Sequence, residues 1–85
     1  MNLLFSEKGW EDYLHWQKFD RKLLKRINDL LKDISRDDPY SGIGKPEPLK
    51  HAFSGFWSRR INDEHRLVYR VTNGTIEIAQ ARYHY

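Results

Sequence analysis

Eighty-five residues with three Trp, five Tyr and four Phe but no Cys describe one small domain, residues 1–85, whose core must rely on large side chains; disulfides and thiolate metal sites are excluded. The formal net charge of +3 is unevenly placed. Residues 1–43 balance eight Lys/Arg against eight Asp/Glu, whereas residues 44–85 hold seven against four, with three of the four His. That asymmetry suits a surface facing a polyanion, and an ordinary solvated sheet face about equally.

Residues 1–5 (MNLLF) read as a short strand or extended lead-in. Ser6 is a good helix N-cap, with Phe5 and Trp10 at the two staple positions, and a first helix is predicted from about Glu7 to Gln17. On it Trp10, Tyr13 and Leu14 share a face, and Trp16 falls off that stripe. Asp20 caps a second helix, with Phe19 and Leu24 as its staple. Leu23, Leu24, Ile27, Leu30, Leu31 and Ile34 then recur at period 3.6, and the helix should end near Arg36. Residues 37–48 (DDPYSGIGKPEP) contain all three Pro and read as a loop long enough to be functional.

From Leu49 onward the apolar period becomes 2. GFWSRRI reads as a strand, INDEH as a turn, RLVYRV as a second strand, TNGT as a hairpin turn and IEIAQARYHY as a third strand. The fold class is therefore α+β, an N-terminal strand and two helices packed on an antiparallel sheet. With Thr72 opposite Thr75, one face pairs Val71 with Ile76, Tyr69 with Ile78 and Leu67 with Gln80, and should meet the helices. The other pairs Arg70 with Glu77, Val68 with Ala79 and Arg66 with Ala81. Guanidinium groups beside small residues make a groove suited to phosphate.

Four residues of the second half could carry chemistry: Glu47 between prolines, Arg66 on the open face, and His84 and Tyr85 at the end of the sequence. Singly, each is more often a solvated side chain. Together they supply a carboxylate, a fixed cation, an imidazole and an aromatic ring, the set that metal-free RNA cleavage asks for. A base takes the 2′-OH proton, a cation steadies the phosphorane, an acid protonates the leaving 5′ oxygen, and a ring stacks on a base. One His and one Glu far apart do not form a recognisable metal-ligand set, so neither metal nor cofactor is expected.

The stretch KPEPLKHAFSGFWSRRINDEHRLVYRV, the terminal ARYHY and the earlier SEKGWEDYLHWQKFD closely resemble the YoeB toxins of bacterial toxin–antitoxin pairs, in the RelE superfamily. The likeness spans essentially the whole chain, and KPEPLKH, GFWSRRI, EHRLVY and RYHY are its specific parts. It implies a RelE-like fold similar to microbial ribonucleases, and a ribosome-dependent endoribonuclease that cuts mRNA in the A site. It further implies Glu47 as general base, Arg66 as catalytic arginine, His84 as general acid and Tyr85 as the terminal tyrosine, with Lys50 and Arg59 as further basic positions binding substrate. A YefM-type antitoxin, mRNA and the ribosome are the implied partners, and a homodimer stays open. No apolar run approaches membrane-spanning length and the N-terminus lacks a signal peptide, so a cytoplasmic location is expected. The rivals are a non-catalytic ParE-like toxin and a basic RNA-binding module. One geometric expectation follows from strand alternation: it turns His84 toward the helices, so the last strand must bulge or curl if His84 is to act beside Arg66.

Overall fold

The computed structural model describes residues 1–36 and 38–85; Asp37, which begins the predicted loop, lies outside the described residues. The elements are β1 (Asn2–Phe5), α1 (Glu7–Phe19), α2 (Arg21–Ile34), β2 (Glu47–Pro48), a 3-10 turn (His51–Phe53), β3 (Trp57–Arg60), β4 (Arg66–Thr72) and β5 (Thr75–Gln80). The five strands form one sheet in the order β1-β5-β4-β3-β2. All neighbours are antiparallel except β1, which runs parallel to β5. The predicted α+β class holds, and the sheet gains two edges beyond the expected meander. The lead-in pairs as β1, and the end of the proline loop pairs as β2.

Local signals explain the helix ends. Ser6 accepts a hydrogen bond from Gly9 N–H, and the Phe5 and Trp10 rings meet edge to face at 5.5 Å. Asp20 accepts from Lys22 and Leu23 N–H. Of the two residues at its staple positions, Leu24 packs against the core, whereas Phe19 is largely exposed and lies against His15, with ring centroids 4.9 Å apart. The buried stripe of α2 is Ile27, Leu30, Leu31 and Ile34, as the period requires.

The stripe of α1 differs from the expected one. Trp16 is 6 % exposed and belongs to the core, whereas Trp10 is 48 % exposed. The buried residues of α1 are Gly9, Asp12 and Trp16, spaced i, i+3, i+7. A glycine and a carboxylate hide that face from any search for apolar residues. Gly9 is there for contact: a Cβ on it would stand 2.5 Å from the Ile78 carbonyl oxygen, so α1 lies directly on β5.

The second correction concerns register. The hairpin starts as predicted, from Thr72 opposite Thr75 to Tyr69 opposite Ile78, but Val68 then faces Gln80. Ala79 is thus an extra residue, a β-bulge that reverses the faces of everything after it. Ala81, predicted on the open face opposite Arg66, is instead buried among the core residues.

Candidate active site

Residues directly opposite on paired strands share a face, so Glu47, Ser58, Val68 and Gln80 form one row across four strands on the side away from the helices. Arg60 and Arg66 form the next row. With about 4.8 Å between strands and about 3.4 Å per residue, the Glu47 and Arg66 backbones stand on the order of 12 Å apart, a gap two long side chains can close around a phosphate.

The tail, residues 81–85, crosses this face. After the bulge, Ala81 is gripped from the helix side: its N–H donates to Asp12 Oδ2 at 2.9 Å and its carbonyl accepts from Trp16 Nε1 at 2.7 Å. Tyr83 adopts a left-handed backbone (φ 63°), uncommon for a bulky residue. Its N–H donates to His65 Nδ1 at 2.7 Å, and its carbonyl accepts from Arg66 N–H at 3.1 Å. The chain then doubles back. Gln80 Nε2 donates to the His84 carbonyl at 3.3 Å, and the Tyr85 hydroxyl reaches Ser58 Oγ at 3.4 Å. Val68, between Gln80 and Ser58 in the row, is completely buried although it points away from the helices. The expected irregularity of the last strand is therefore present, as a bulge followed by a turn, and His84 is exposed.

The residues of interest sort as follows. Glu47 is exposed on the edge strand β2. Lys50 lines a cleft of about 400 Å³ with His51, Phe53 and Tyr85, and the Phe53 and Tyr85 rings meet edge on at 6.3 Å. Arg66 spends one nitrogen on its own turn, Nη1 donating to the carbonyls of Asn62 at 2.6 Å, His65 at 3.0 Å and Asp63 at 3.3 Å. Its Nε and Nη2 have no partner among the described residues. No hydrogen bond joins the Glu47, Arg66 and His84 side chains to each other among the described residues.

Arg59 does not join them. It lies on the helix side of β3 with no exposed surface, and every N–H it owns is engaged. Nε donates to Tyr69 Oη (3.1 Å), Nη1 to Asp33 Oδ2 (2.6 Å) and Ile43 O (3.0 Å), and Nη2 to Pro39 O (3.0 Å) and Ser41 O (2.8 Å). A guanidinium with five filled donors has none for a phosphate. The substrate-binding expectation for Arg59 is corrected on that ground: it fastens the loop that leads to Glu47. The Asp33 carboxyl is held below the usual carboxylate range, chiefly by the hydrogen bond from Arg59. Burial pushes the Tyr69 hydroxyl up.

Sequence reasoning passed over His65, Asp12 and Trp16. Burial pushes the His65 imidazole below its ordinary value; Glu64 acts against that, Arg82 and His15 add to it, and Asp12 opposes it. The available signals were the alternation of Trp57, Arg59 and Ile61, which already sets Arg59 on the apolar side, and the Gly9, Asp12, Trp16 spacing. Among the described residues no group of three or more His, Cys, Asp or Glu is arranged to hold a metal ion. Among the described residues no helix is long and apolar enough to cross a membrane.

A family model described as a YoeB-like toxin of bacterial type II toxin-antitoxin system matches residues 5–85. The chain belongs to that family. It is 59 % identical to "Toxin YoeB" of Escherichia coli (strain K12) over 85 residues, all of both chains. Among solved structures, the "YoeB/ParE toxin from Agrobacterium tumefaciens" superposes with a TM-score of 0.95 at 46 % identity, covering all of both chains. The toxin of the "YoeB-YefM complex from Staphylococcus aureus" gives a TM-score of 0.93 at 50 % identity, over 100 % of this chain and 98 % of that one. "The structure of YoeB dimer from Staphylococcus aureus" superposes at 52 % identity with a TM-score of 0.93, over 100 % of this chain and 98 % of that one. The two helices on a five-stranded, mostly antiparallel sheet are thus the YoeB, RelE-like arrangement.

Proposed function

We propose that this YoeB-like toxin is a ribosome-dependent mRNA endoribonuclease. Glu47 takes the proton of the 2′-OH as that oxygen attacks the adjacent phosphorus. Arg66, through its unengaged Nε and Nη2, stabilises the charge of the phosphorane. His84 protonates the departing 5′ oxygen. The products are a 2′,3′-cyclic phosphate, or the 3′-phosphate from its opening, and a 5′-hydroxyl. Lys50 holds a phosphate at the mouth of the cleft, and Tyr85 stacks on or orients the nucleotide there. The steps use side chains alone and call for no metal or cofactor.

The observation that supports this most is that β5 does not run on as a regular strand: the bulge at Ala79 and the left-handed turn at Tyr83 break the alternation that would turn His84 toward the helices, and His84 is exposed. A lone carboxylate is a weak base for a ribose hydroxyl. Holding the message in line for attack supplies on the order of 7–11 kcal/mol, and the ribosome is the scaffold that does this. The toxin would thereby act in the cytoplasm, where ribosomes are.

The test is to map message 5′ ends with wild type, Glu47→Gln and Arg66→Ala, with and without ribosomes. New ends bearing 5′-hydroxyls are expected from wild type on ribosomes only, and from neither variant. Growth arrest that survives both substitutions would leave a ParE-like, non-catalytic toxin as the better reading. Salt-sensitive RNA binding without cut ends would leave a binding module. Since Staphylococcus aureus relatives have been solved in a complex with YefM and as a dimer, a YefM-type antitoxin and self-association are expected of this chain too. Sedimentation with and without the antitoxin checks both.

A further inference from the structure

We propose that His65, as a neutral imidazole accepting at Nδ1, is the positioning residue that fixes the course of the tail and with it the place of His84. What His84 then does rests on the nuclease reading above; that His65 holds the tail does not.

The argument begins with what the tail needs. Ala81 is tied to α1 through both its backbone groups, but two residues, Arg82 and Tyr83, separate it from His84, and even a short free segment samples many directions. The intervening turn passes through Tyr83 in a left-handed backbone. A bulky residue stays there only where its surroundings impose it. Two bonds do so. Its carbonyl is bound by Arg66 N–H, and its N–H by His65 Nδ1, the shorter of the two at 2.7 Å against 3.1 Å.

His65 is itself tightly placed. It is 6 % exposed, its ring meets the edge of Trp16 at 4.7 Å, and the Tyr83 ring lies 5.4 Å away. Asn62 Oδ1 accepts its backbone N–H at 2.8 Å. An acceptor nitrogen carries no proton, so the ring proton must sit on Nε2, where Glu64 Oε1 stands 3.4 Å away. Protonation at Nδ1 would set N–H against N–H and open the clasp. The charged and titratable groups around the ring are Glu64 on its own turn, Asp12 and His15 on α1, and Arg82 on the tail. Carboxylates favour the imidazolium, and Arg82 and burial favour the neutral ring. Acid therefore loosens the tail.

The experiment pairs structure with turnover. In wild-type protein, nitrogen-resolved NMR of the imidazole should find Nδ1 unprotonated at neutral pH, and the Tyr83 amide should lose its exchange protection as His65 titrates. His65→Phe keeps the ring against Trp16 and removes the acceptor. His65→Asn returns an oxygen close to the Nδ1 position. The Phe variant should exchange the Tyr83 amide faster and lower kcat on ribosome-bound message by about tenfold or more with KM little changed, since a misplacement of about 1 Å can cost on the order of 100-fold. The Asn variant should recover most of both. An Nδ1-protonated ring, a Tyr83 amide still protected in the Phe variant, or full turnover in that variant while wild type cleaves would each overturn the proposal. If wild type cuts nothing while the amide responds as described, the nuclease reading fails and the clasp stands. Should the Phe variant not fold, the wild-type titration decides alone.

Discussion

Two arginines seven residues apart, Arg59 and Arg66, show how the two sides of one sheet put the same chemistry to different uses. Arg59 faces the helices, has no exposed surface, and directs five N–H groups to one carboxylate, one hydroxyl and three carbonyls. Arg66 faces the open side, caps its own turn with one nitrogen, and leaves two without a partner among the described residues. A fully engaged guanidinium is a structural fastener, whereas one with donors to spare on an open surface is an anion receptor in waiting. Position relative to the core decides which, not residue type.

Exchanging the losses would break this comparison. Arg59→Ala should lower stability by about 3–5 kcal/mol, because it strands Asp33 and three loop carbonyls. Thermal or urea unfolding measures it, and loosening of residues 39–43 should show first in amide exchange. Arg66→Ala should leave stability within about 0.5 kcal/mol but reduce cleavage on ribosomes by on the order of 100- to 1,000-fold, the usual cost of losing one group that meets developing charge. A stable Arg59→Ala protein, or an unstable Arg66→Ala one, would show the assignment of roles to be inverted.

The helix side offers a sharper test of how closely α1 presses on β5. Gly9→Ala places a methyl group against the Ile78 carbonyl, and overpacking of this kind costs about 1–3 kcal/mol. A glycine-to-alanine change inside an exposed helix would instead stabilise, by up to about 1 kcal/mol. The sign of the change in unfolding midpoint thus reports whether the contact exists. Because α1 also carries Asp12 and Trp16, which grip Ala81, cleavage should fall with stability here, unlike at Arg66.

The comparison also explains what could be read from the sequence. The α2 stripe, both N-caps and the Asn-Gly hairpin were legible because each is a local rule with one solution. The buried face of α1 was not, since its members are Gly9, Asp12 and Trp16, and two of these count as polar or neutral in any pattern. The bulge at Ala79 could not be found either. Nothing in IEIAQA marks an extra residue, which arises where β5 meets Ser6, whose hydroxyl donates to the Ala79 carbonyl at 2.7 Å. That one tertiary event moved Ala81 into the core. Glu47 and Arg66 could be named from the sequence, but the tail's route could not, because it depends on His65 and Asp12 from elsewhere in the chain.

The smallest expected effects are in pH dependence, and the two regions should separate there as well. On the loop side, the Asp33 carboxyl is lowered by Arg59. Its contribution is complete above the ordinary carboxylate range and is lost as the pH falls through its folded value, below about 4. On the tail side, burial lowers His65. Between its folded value and the ordinary imidazole value of about 6.5, the unfolded chain binds the proton and the folded chain does not. Stability therefore falls with acid in that window and the slope ends below it. Denaturant titrations from pH 7.5 down to about 3 should show two separate declines. The upper one should be missing from His65→Asn and the lower one from Asp33→Asn. If the upper decline persists in His65→Asn, another group governs the tail side. If it is absent from wild type, His65 is not held neutral by the fold, and acid would then loosen only the Arg59 loop.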